Sequence, residues 1–198
     1  MKYRKLYRKF TITILYPNDK ATGYVLNEFR GLFLGLTTID IQYFVDDFPE
    51  PNTKVKTPAP GILVGGPATN AAVAFSYLNK GAFLASAVGN NSFSKFVEDD
   101  FRHTGIEHAD LIRSQRKNVV IASVITSRKN GDRNIFTHHP EKISPEIPPE
   151  KLIEIIKPDI LELDGFYPEF SLKCTQIANT QNIPVILDCG SWKPQYSD

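Results

Sequence analysis

The sequence of 198 residues contains only two cysteines, Cys174 and Cys189, and no apolar run near the ~20 residues that a membrane-spanning helix needs. So few cysteines exclude a disulfide framework and are typical of a reducing compartment, so we expect a cytoplasmic protein. Residues 1–17 resemble a signal peptide, because basic residues precede the apolar stretch 10–16. Pro17 and polar residues follow that stretch at once, without a small-residue cleavage site, so we do not expect secretion.

The net charge is also small, because 23 basic and 22 acidic side chains give +1. This value argues against a dedicated nucleic-acid or membrane-surface binder. The charge is unevenly distributed. Residues 1–30 hold seven basic and two acidic side chains, whereas residues 31–198 hold 16 basic and 20 acidic ones. We expect residues 1–30 to form a basic N-terminal extension outside the fold. The alternative is a basic tail that binds an anionic surface.

From residue 31 onward, short apolar segments alternate with helical patterns, which is typical of stacked βαβ units. Buried strands are predicted at residues 32–36, 83–88, 160–163 and 185–187. Helices are predicted at residues 68–78, 92–104, 150–157 and 170–180. The pattern predicts an α/β fold of the Rossmann-like type, with a parallel sheet and flanking helices.

Two other stretches have the composition of antiparallel strands. The first covers residues 41–48 and 54–64, and the second covers residues 119–127 and 133–138, which are joined through Asn130 and Gly131. An Asn-Gly pair between β-branched and apolar residues is a strong hairpin signal. Strands that do not belong to the parallel core predict a small β-lid, formed by residues 41–64 and 119–138.

The most informative polar residues surround a pair of glycines. Asp40 follows the first apolar strand, and GILVGGPATN then places Gly65 and Gly66 before a helical pattern that contains Asn70. Glycine lacks a Cβ atom, so its backbone can approach a ligand closely. A helix start offers free N–H groups, an amide donates and accepts, and a carboxylate accepts hydrogen bonds from adjacent hydroxyls. This set predicts a site for a polyol such as a sugar.

The order of these residues, together with GAFLASAVGNNSFSKFVEDDFRHTGI, NGDRNI, LELDG and VILDCGSWKP, resembles the N-terminal part of ribokinase-like (PfkB family) carbohydrate kinases. VEDDFR and the last three segments are most similar to the ketohexokinase-like branch. The resemblance covers residues 31–198. It implies a ribokinase-like fold that is incomplete at its C-terminal end, and ATP-dependent phosphorylation of a sugar hydroxyl with Mg²⁺. A homodimer through the β-lid is also implied.

The resemblance also implies roles for individual residues. The sugar hydroxyls would contact Asp40, Gly65, Gly66 and Asn70, with Asp164 supporting the sugar site, and Arg133 would lie near the sugar or the transferred phosphate. Pro67 departs from the pattern, because ketohexokinase-like members have a polar side chain there. This departure weakens the implied specificity for a ketohexose, and nucleosides are also possible substrates.

The family's late GAGD-type motif, whose aspartate accepts a proton and whose N–H groups form an anion hole, does not occur in the sequence, and neither does the upstream asparagine–glutamate motif. P-loop, GxGxxG, HExxH and CxxC motifs are also missing. We therefore expect a chain truncated before its nucleotide-binding and catalytic segment, without a catalytic residue of its own and inactive alone. The alternative is a non-catalytic sugar-binding or lid-mediated assembly module.

Several polar residues also have ordinary structural interpretations. Arg133 is equally a solvated hairpin residue, and Asp164 and Asp188, at strand ends, are equally caps of the segments that follow. The pair His138–His139 suggests a metal site, but adjacent residues of a strand point to opposite faces. We therefore predict no metal there.

Overall fold

The computed structural model describes residues 29–78, 81–138, 142–188 and 190. Its elements are β1 (Gly31–Leu34), β2 (Thr38–Val45), β3 (Gly61–Gly65), α1 (Pro67–Leu78), β4 (Ala82–Ser86), α2 (Ser94–Thr104), β5 (Ile106–Asp110), β6 (Val120–Ser127), β7 (Arg133–Thr137), α3 (Pro149–Ile156), β8 (Ile160–Leu163), α4 (Pro168–Thr180) and β9 (Val185–Leu187). Of the predicted N-terminal extension, residues 1–30, only the last two residues are described. Cys189 and His139, which the sequence analysis also discussed, lie outside the described residues.

Five strands form a parallel sheet in the order β5-β4-β1-β8-β9. Leu32 and Leu34 of β1 are fully buried in a core shared with α3 and α4, whereas Phe33 belongs to the core under α1 and α2. Alternate residues of one strand thus serve both faces, as in a sheet covered by helices on either side. The predicted α/β fold is confirmed.

Four strands form the second sheet, the lid, in the order β3-β2-β6-β7, with β2 and β6 parallel. Ile39 of β2 is fully buried in the α1–α2 core, so the lid is attached to the main sheet through apolar packing. The lid differs from its predicted bounds. It begins at Thr38, so Asp40 is a lid residue. The strand predicted over 54–64 forms only at Gly61–Gly65, because Pro58 and Pro60 cannot donate to a ladder.

Local backbone geometry sets several element ends. Gly105 ends α2 with φ 76° and donates its N–H to the Phe101 carbonyl. Helix α4 begins earlier than predicted, at Pro168, because Tyr167 adopts a left-handed conformation with φ 57° that turns the chain out of β8. Strand β5 is not predicted, since its polar residues mask the strand pattern.

Among the described residues, none of the helices combines the length and apolar character needed to cross a bilayer.

Candidate sugar site

The carboxylate of Asp40 lies on β2 beside the end of β3. Thr38 pairs with Gly65 across the two strands, and its hydroxyl donates a 2.8 Å hydrogen bond to Asp40 Oδ1. A Cβ atom on Gly65 would lie 2.6 Å from Asp40 Oδ2, which is closer than real Cβ contacts. Glycine at this position therefore makes room for the carboxylate, while Thr38 fixes its orientation.

Gly66 turns the chain from β3 into α1. Its φ of +109° lies in the region that favours glycine, and a Cβ atom there would overlap the carbonyl oxygen of Leu36. The Gly66 carbonyl accepts a 2.8 Å hydrogen bond from the backbone N–H of Asn70, whose side chain is exposed. Asp40 and Asn70 therefore flank the glycine pair, Asp40 beside Gly65 and Asn70 one helical turn beyond Gly66.

Asp164 lies under this arrangement and holds three backbone segments together. Its carboxylate accepts hydrogen bonds from the N–H groups of Leu36 at 2.7 Å, Phe166 at 3.0 Å and Ala68 at 3.2 Å. Gly35 leaves the space for it, because a Cβ atom there would overlap the carboxylate. Burial raises the pKa of Asp164, whereas the three N–H groups favour its ionised form. Asp164 is 6% exposed and serves as a support for the glycine turn.

A chain of buried hydroxyls, which the sequence did not reveal, fixes the start of α1. Thr69 donates to the Leu36 carbonyl at 3.1 Å and lies 2.9 Å from the Thr37 hydroxyl. Thr37 donates to Ser86 at 2.7 Å, and Ser86 Oγ lies 2.9 Å from His108 Nε2. Burial lowers the pKa of His108, against the opposing charge of Asp110. The hydroxyl chain connects the link between β1 and β2 with β4, β5 and α1 beneath the site.

The structure does not bring Arg133 to Asp40. Asp40 shares a row of the lid with Ala122 and Thr137, whereas Arg133 pairs with Thr126, four residues further along β6. At ~3.3 Å per residue this places Arg133 about 13 Å along the sheet and two strands across from Asp40. The hairpin at Gly131 puts Arg133 at the far end of the lid, where it is exposed.

The described residues contain no cluster of three or more His, Cys, Asp or Glu side chains that could hold a metal ion. His138 is exposed just after β7, and the other member of the pair is not described.

A small depression of about 20 Å³ lies beside the start of β6, because Val120 forms part of its lining. Its lining is partly apolar and partly polar: Ala87, Ile112, Lys117, Asn118, Val120, Ile143 and Tyr167. Tyr167 is 8% exposed, and its phenol belongs to this lining. Burial raises the pKa of this phenol, so it stays protonated and can donate a hydrogen bond.

Comparisons with known proteins identify the family and the fold of the chain. A "Nucleoside kinase" of Methanocaldococcus jannaschii is 30% identical over 164 residues, which cover 83% of this chain and 53% of that protein. A ribokinase from Giardia lamblia has a similar fold, with a TM-score of 0.72, 17% identity, and coverage of 85% of this chain and 54% of that one. Ribokinase from Arabidopsis thaliana, in complex with ribose and ATP, gives a TM-score of 0.63 at 20% identity, with coverage of 82% and 54%.

The chain spans about half the length of these relatives. The family described as pfkB family carbohydrate kinase matches residues 31–198, which include both sheets, the glycine pair and Asp40. The chain belongs to the PfkB family of carbohydrate kinases.

Proposed function

We propose that this chain supplies the sugar-binding part of an ATP-dependent kinase that phosphorylates a sugar hydroxyl. The observation that carries the proposal is the Asp40 carboxylate, which Thr38 orients beside the bare backbone of Gly65. Only one Asp40 oxygen is bound by Thr38, so the second oxygen is an acceptor for a sugar hydroxyl. Asn70 adds an exposed amide one helical turn away. Such directional hydrogen bonds suit a polyol.

These contacts suggest a role for each residue of the site. Asp40 and Asn70 would bind and orient the sugar, and the hydrogen bonds that Asp164 accepts would keep the glycine turn in place. ATP would supply the phosphoryl group when bound. The sequence has no GAGD-type motif, which would provide a base and an anion hole. We assign no catalytic base to this chain, and expect no sugar-dependent ADP formation from it alone.

A ribose-containing substrate is the candidate that we favour, and a nucleoside is the specific form to test. Two of the relatives are a nucleoside kinase and a ribokinase bound to ribose. A ketohexose, which the ketohexokinase-like resemblance implies and Pro67 makes less favourable, stays a prediction to be tested in the same assay.

The lid would also join two copies of the chain. Its exposed apolar side chains are Phe44, Ile62, Leu63, Ile135 and Phe136, all between 45% and 65% exposed. By the alternation of the strands, Phe44, Leu63 and Ile135 lie on one face of this sheet, and exposed apolar side chains grouped on one face are typical of an association surface. We propose a homodimer through this sheet. An assembly module without catalysis is the second candidate function, since the same surface would serve it.

Isothermal titration calorimetry tests the proposal with ribose, fructose and adenosine as ligands. We expect Asp40→Asn to weaken binding of the preferred ligand roughly tenfold to a hundredfold, because a hydrogen bond to a charged group contributes about 1.5–3 kcal/mol. Asp47→Asn is the matched control: Asp47 lies just past β2 and pairs with Lys129 at 2.7 Å on the surface. Equal binding by both variants, or binding of none of the three ligands by the native chain, would contradict the proposal.

A further inference from the structure

Leu36 forms the floor of the glycine turn at Gly66. A Cβ atom on Gly66 would overlap the Leu36 carbonyl oxygen and would lie 3.2 Å from Thr37 Cα, so the turn packs directly on this part of the backbone. Asp164 accepts a hydrogen bond from the Leu36 N–H at 2.7 Å, and the Thr69 hydroxyl donates to the Leu36 carbonyl at 3.1 Å. One carboxylate and one hydroxyl therefore hold Leu36 in place beneath the turn.

The Thr69 hydroxyl is one end of the hydroxyl chain, and His108 is the other. Thr69 lies 2.9 Å from Thr37, and Thr37 donates to Ser86 at 2.7 Å. Ser86 Oγ lies 2.9 Å from His108 Nε2. The three hydroxyl residues are fully buried, so their partners must come from within the protein. His108 is thereby linked to the carbonyl beneath the glycine turn, although β5 lies two strands away from β1.

The hydroxyl chain has fewer hydrogens than contacts. Its three hydroxyls supply three hydrogens for four contacts, and the hydrogen at the Leu36 carbonyl must come from Thr69. Because Thr37 donates to Ser86, the contact between Thr37 and Thr69 is then left without a hydrogen. Ser86 keeps its own hydrogen for His108 Nε2, so this arrangement belongs to a neutral imidazole that is protonated at Nδ1.

A hydrogen on His108 Nε2 changes this arrangement. Ser86 then accepts from the ring and can donate to Thr37, and Thr37 can donate to Thr69. All four contacts are made, and the Thr69 hydrogen serves the Leu36 carbonyl alone. In the neutral state the same hydrogen has two acceptors to serve, Thr37 and the carbonyl. The hydrogen bond beneath the glycine turn therefore depends on the protonation state of His108.

The surroundings of His108 favour its neutral form. Burial lowers the pKa of His108, the charges of Asp110 and Glu98 raise it, and the charge of Arg113 lowers it. The Phe101 ring of α2 packs edge-on against the imidazole, with 4.9 Å between the ring centroids. Helix α1 and strand β4, which also pack against β5, contain no charged residue. The ring is therefore neutral at neutral pH and gains its second hydrogen only in acidic solution.

We propose that His108 is a positioning residue of the sugar site, which acts through the hydroxyl chain on the Leu36 carbonyl and so on the glycine turn. Its effect on sugar binding rests on the proposed function, because the glycine turn belongs to the proposed sugar site. The coupling between His108 and the turn does not rest on it, since each link of the hydroxyl chain is present without a ligand.

A pH titration of the ligand-free chain by ¹H–¹⁵N NMR tests the coupling. At neutral pH, we expect the ring nitrogens of His108 to show a hydrogen on Nδ1 and none on Nε2. As the pH falls, the backbone amide of Gly66 should shift with the same midpoint as the ring. In Ser86→Ala the ring should still titrate, but the Gly66 amide should no longer follow it. Thr37→Val breaks the hydroxyl chain at another link and should have the same effect.

The two variants separate a hydrogen-bonded chain from the electric field of the charged ring, because the field does not need the Ser86 or Thr37 hydroxyl. A Gly66 amide that does not follow the ring in the native chain would overturn the proposal. A Gly66 amide that follows it equally in the variants would overturn it as well, and so would a neutral ring that carries its hydrogen on Nε2.

Ligand affinity provides the second readout. Calorimetry should show that Ser86→Ala weakens binding of the preferred ligand roughly twofold to tenfold, the factor that one neutral hydrogen bond is typically worth. Ser76→Ala is the matched control: this hydroxyl of α1 bonds the carbonyls of Val73 and Thr104, both at 2.8 Å, outside the hydroxyl chain. It should cost stability but no affinity.

Equal affinities of Ser86→Ala and Ser76→Ala would show that the hydroxyl chain does not position the sugar site, and the inference would be wrong. Failure of the native chain to bind ribose, fructose or adenosine would instead contradict the proposed function. In that case the NMR titration still decides whether His108 is coupled to the glycine turn.

Discussion

Replacing Asp164 tests whether one buried carboxylate holds the glycine turn in place. Asp164→Asn keeps the shape of the side chain, but its NH₂ group must face at least one of the three N–H donors from Leu36, Ala68 and Phe166. A hydrogen bond to a charged acceptor contributes about 1.5–3 kcal/mol, and a buried unpaired donor costs about 1–3 kcal/mol. Burial also disfavours the ionised form of Asp164 and raises its pKa. The neutral amide of asparagine does not bear this cost, which offsets part of the loss. We therefore expect a net loss of about 2 kcal/mol in the free energy of unfolding.

Urea denaturation followed by far-UV circular dichroism measures this loss. Asp164→Ala should cost about 4 kcal/mol, because it strands the donors and leaves a cavity. The exposed carboxylate Asp47 supplies the control: Asp47→Asn removes a surface ion pair with Lys129 and should cost less than about 1 kcal/mol. If Asp164→Asn is as stable as Asp47→Asn, the carboxylate does not hold β1, β8 and α1 together, and the structural argument for the site is wrong.

Three further predictions follow from the same region. Gly65→Ala should leave the fold intact but abolish sugar binding by calorimetry, because the new Cβ atom displaces the Asp40 carboxylate; unchanged affinity would contradict this. Gly66→Ala should destabilise the chain by roughly 1–3 kcal/mol, since only glycine suits φ +109° against the Leu36 carbonyl; a melting temperature equal to that of the native chain would contradict it. Burial lowers the pKa of His108 in the folded state. The stability that the neutral imidazole contributes is therefore fully present above the unfolded-state pKa and is lost as the pH falls through the folded-state pKa. His108→Gln should remove that part of the pH dependence of urea denaturation.

The parallel sheet and the order of the site residues could be predicted because their signals are local. Apolar runs such as that of β8 are readable within a few residues, and the Gly65–Gly66 pair lies next to the helix that it opens. The hairpin at Asn130–Gly131 was predictable for the same reason. Asp40 and Asn70 were associated by their order in the chain, and the fold places both beside the glycine pair.

The contacts that hold the site together could not be predicted, because they join distant parts of the chain. Asp164 binds the N–H of Leu36, 128 positions away, and the N–H of Ala68, 96 positions away. The hydroxyl chain from Thr37 to Ser86 spans 49 positions and carries no sequence pattern. The position of Arg133 depended on the length and register of β6, which a hairpin signal does not contain. Its separation from Asp40 therefore emerged only from the fold.

The central claim is that Asp40 and Asn70 bind one sugar over the glycine pair. Two-dimensional ¹H–¹⁵N NMR of the chain, titrated with ribose and then with adenosine, tests it directly. We expect the side-chain amide of Asn70 and the backbone amides of Gly65 and Gly66 to shift together along one saturation curve, with Arg133 unaffected. Shifts confined to other parts of the sheet, with these three signals unchanged at saturating ligand, would contradict the account.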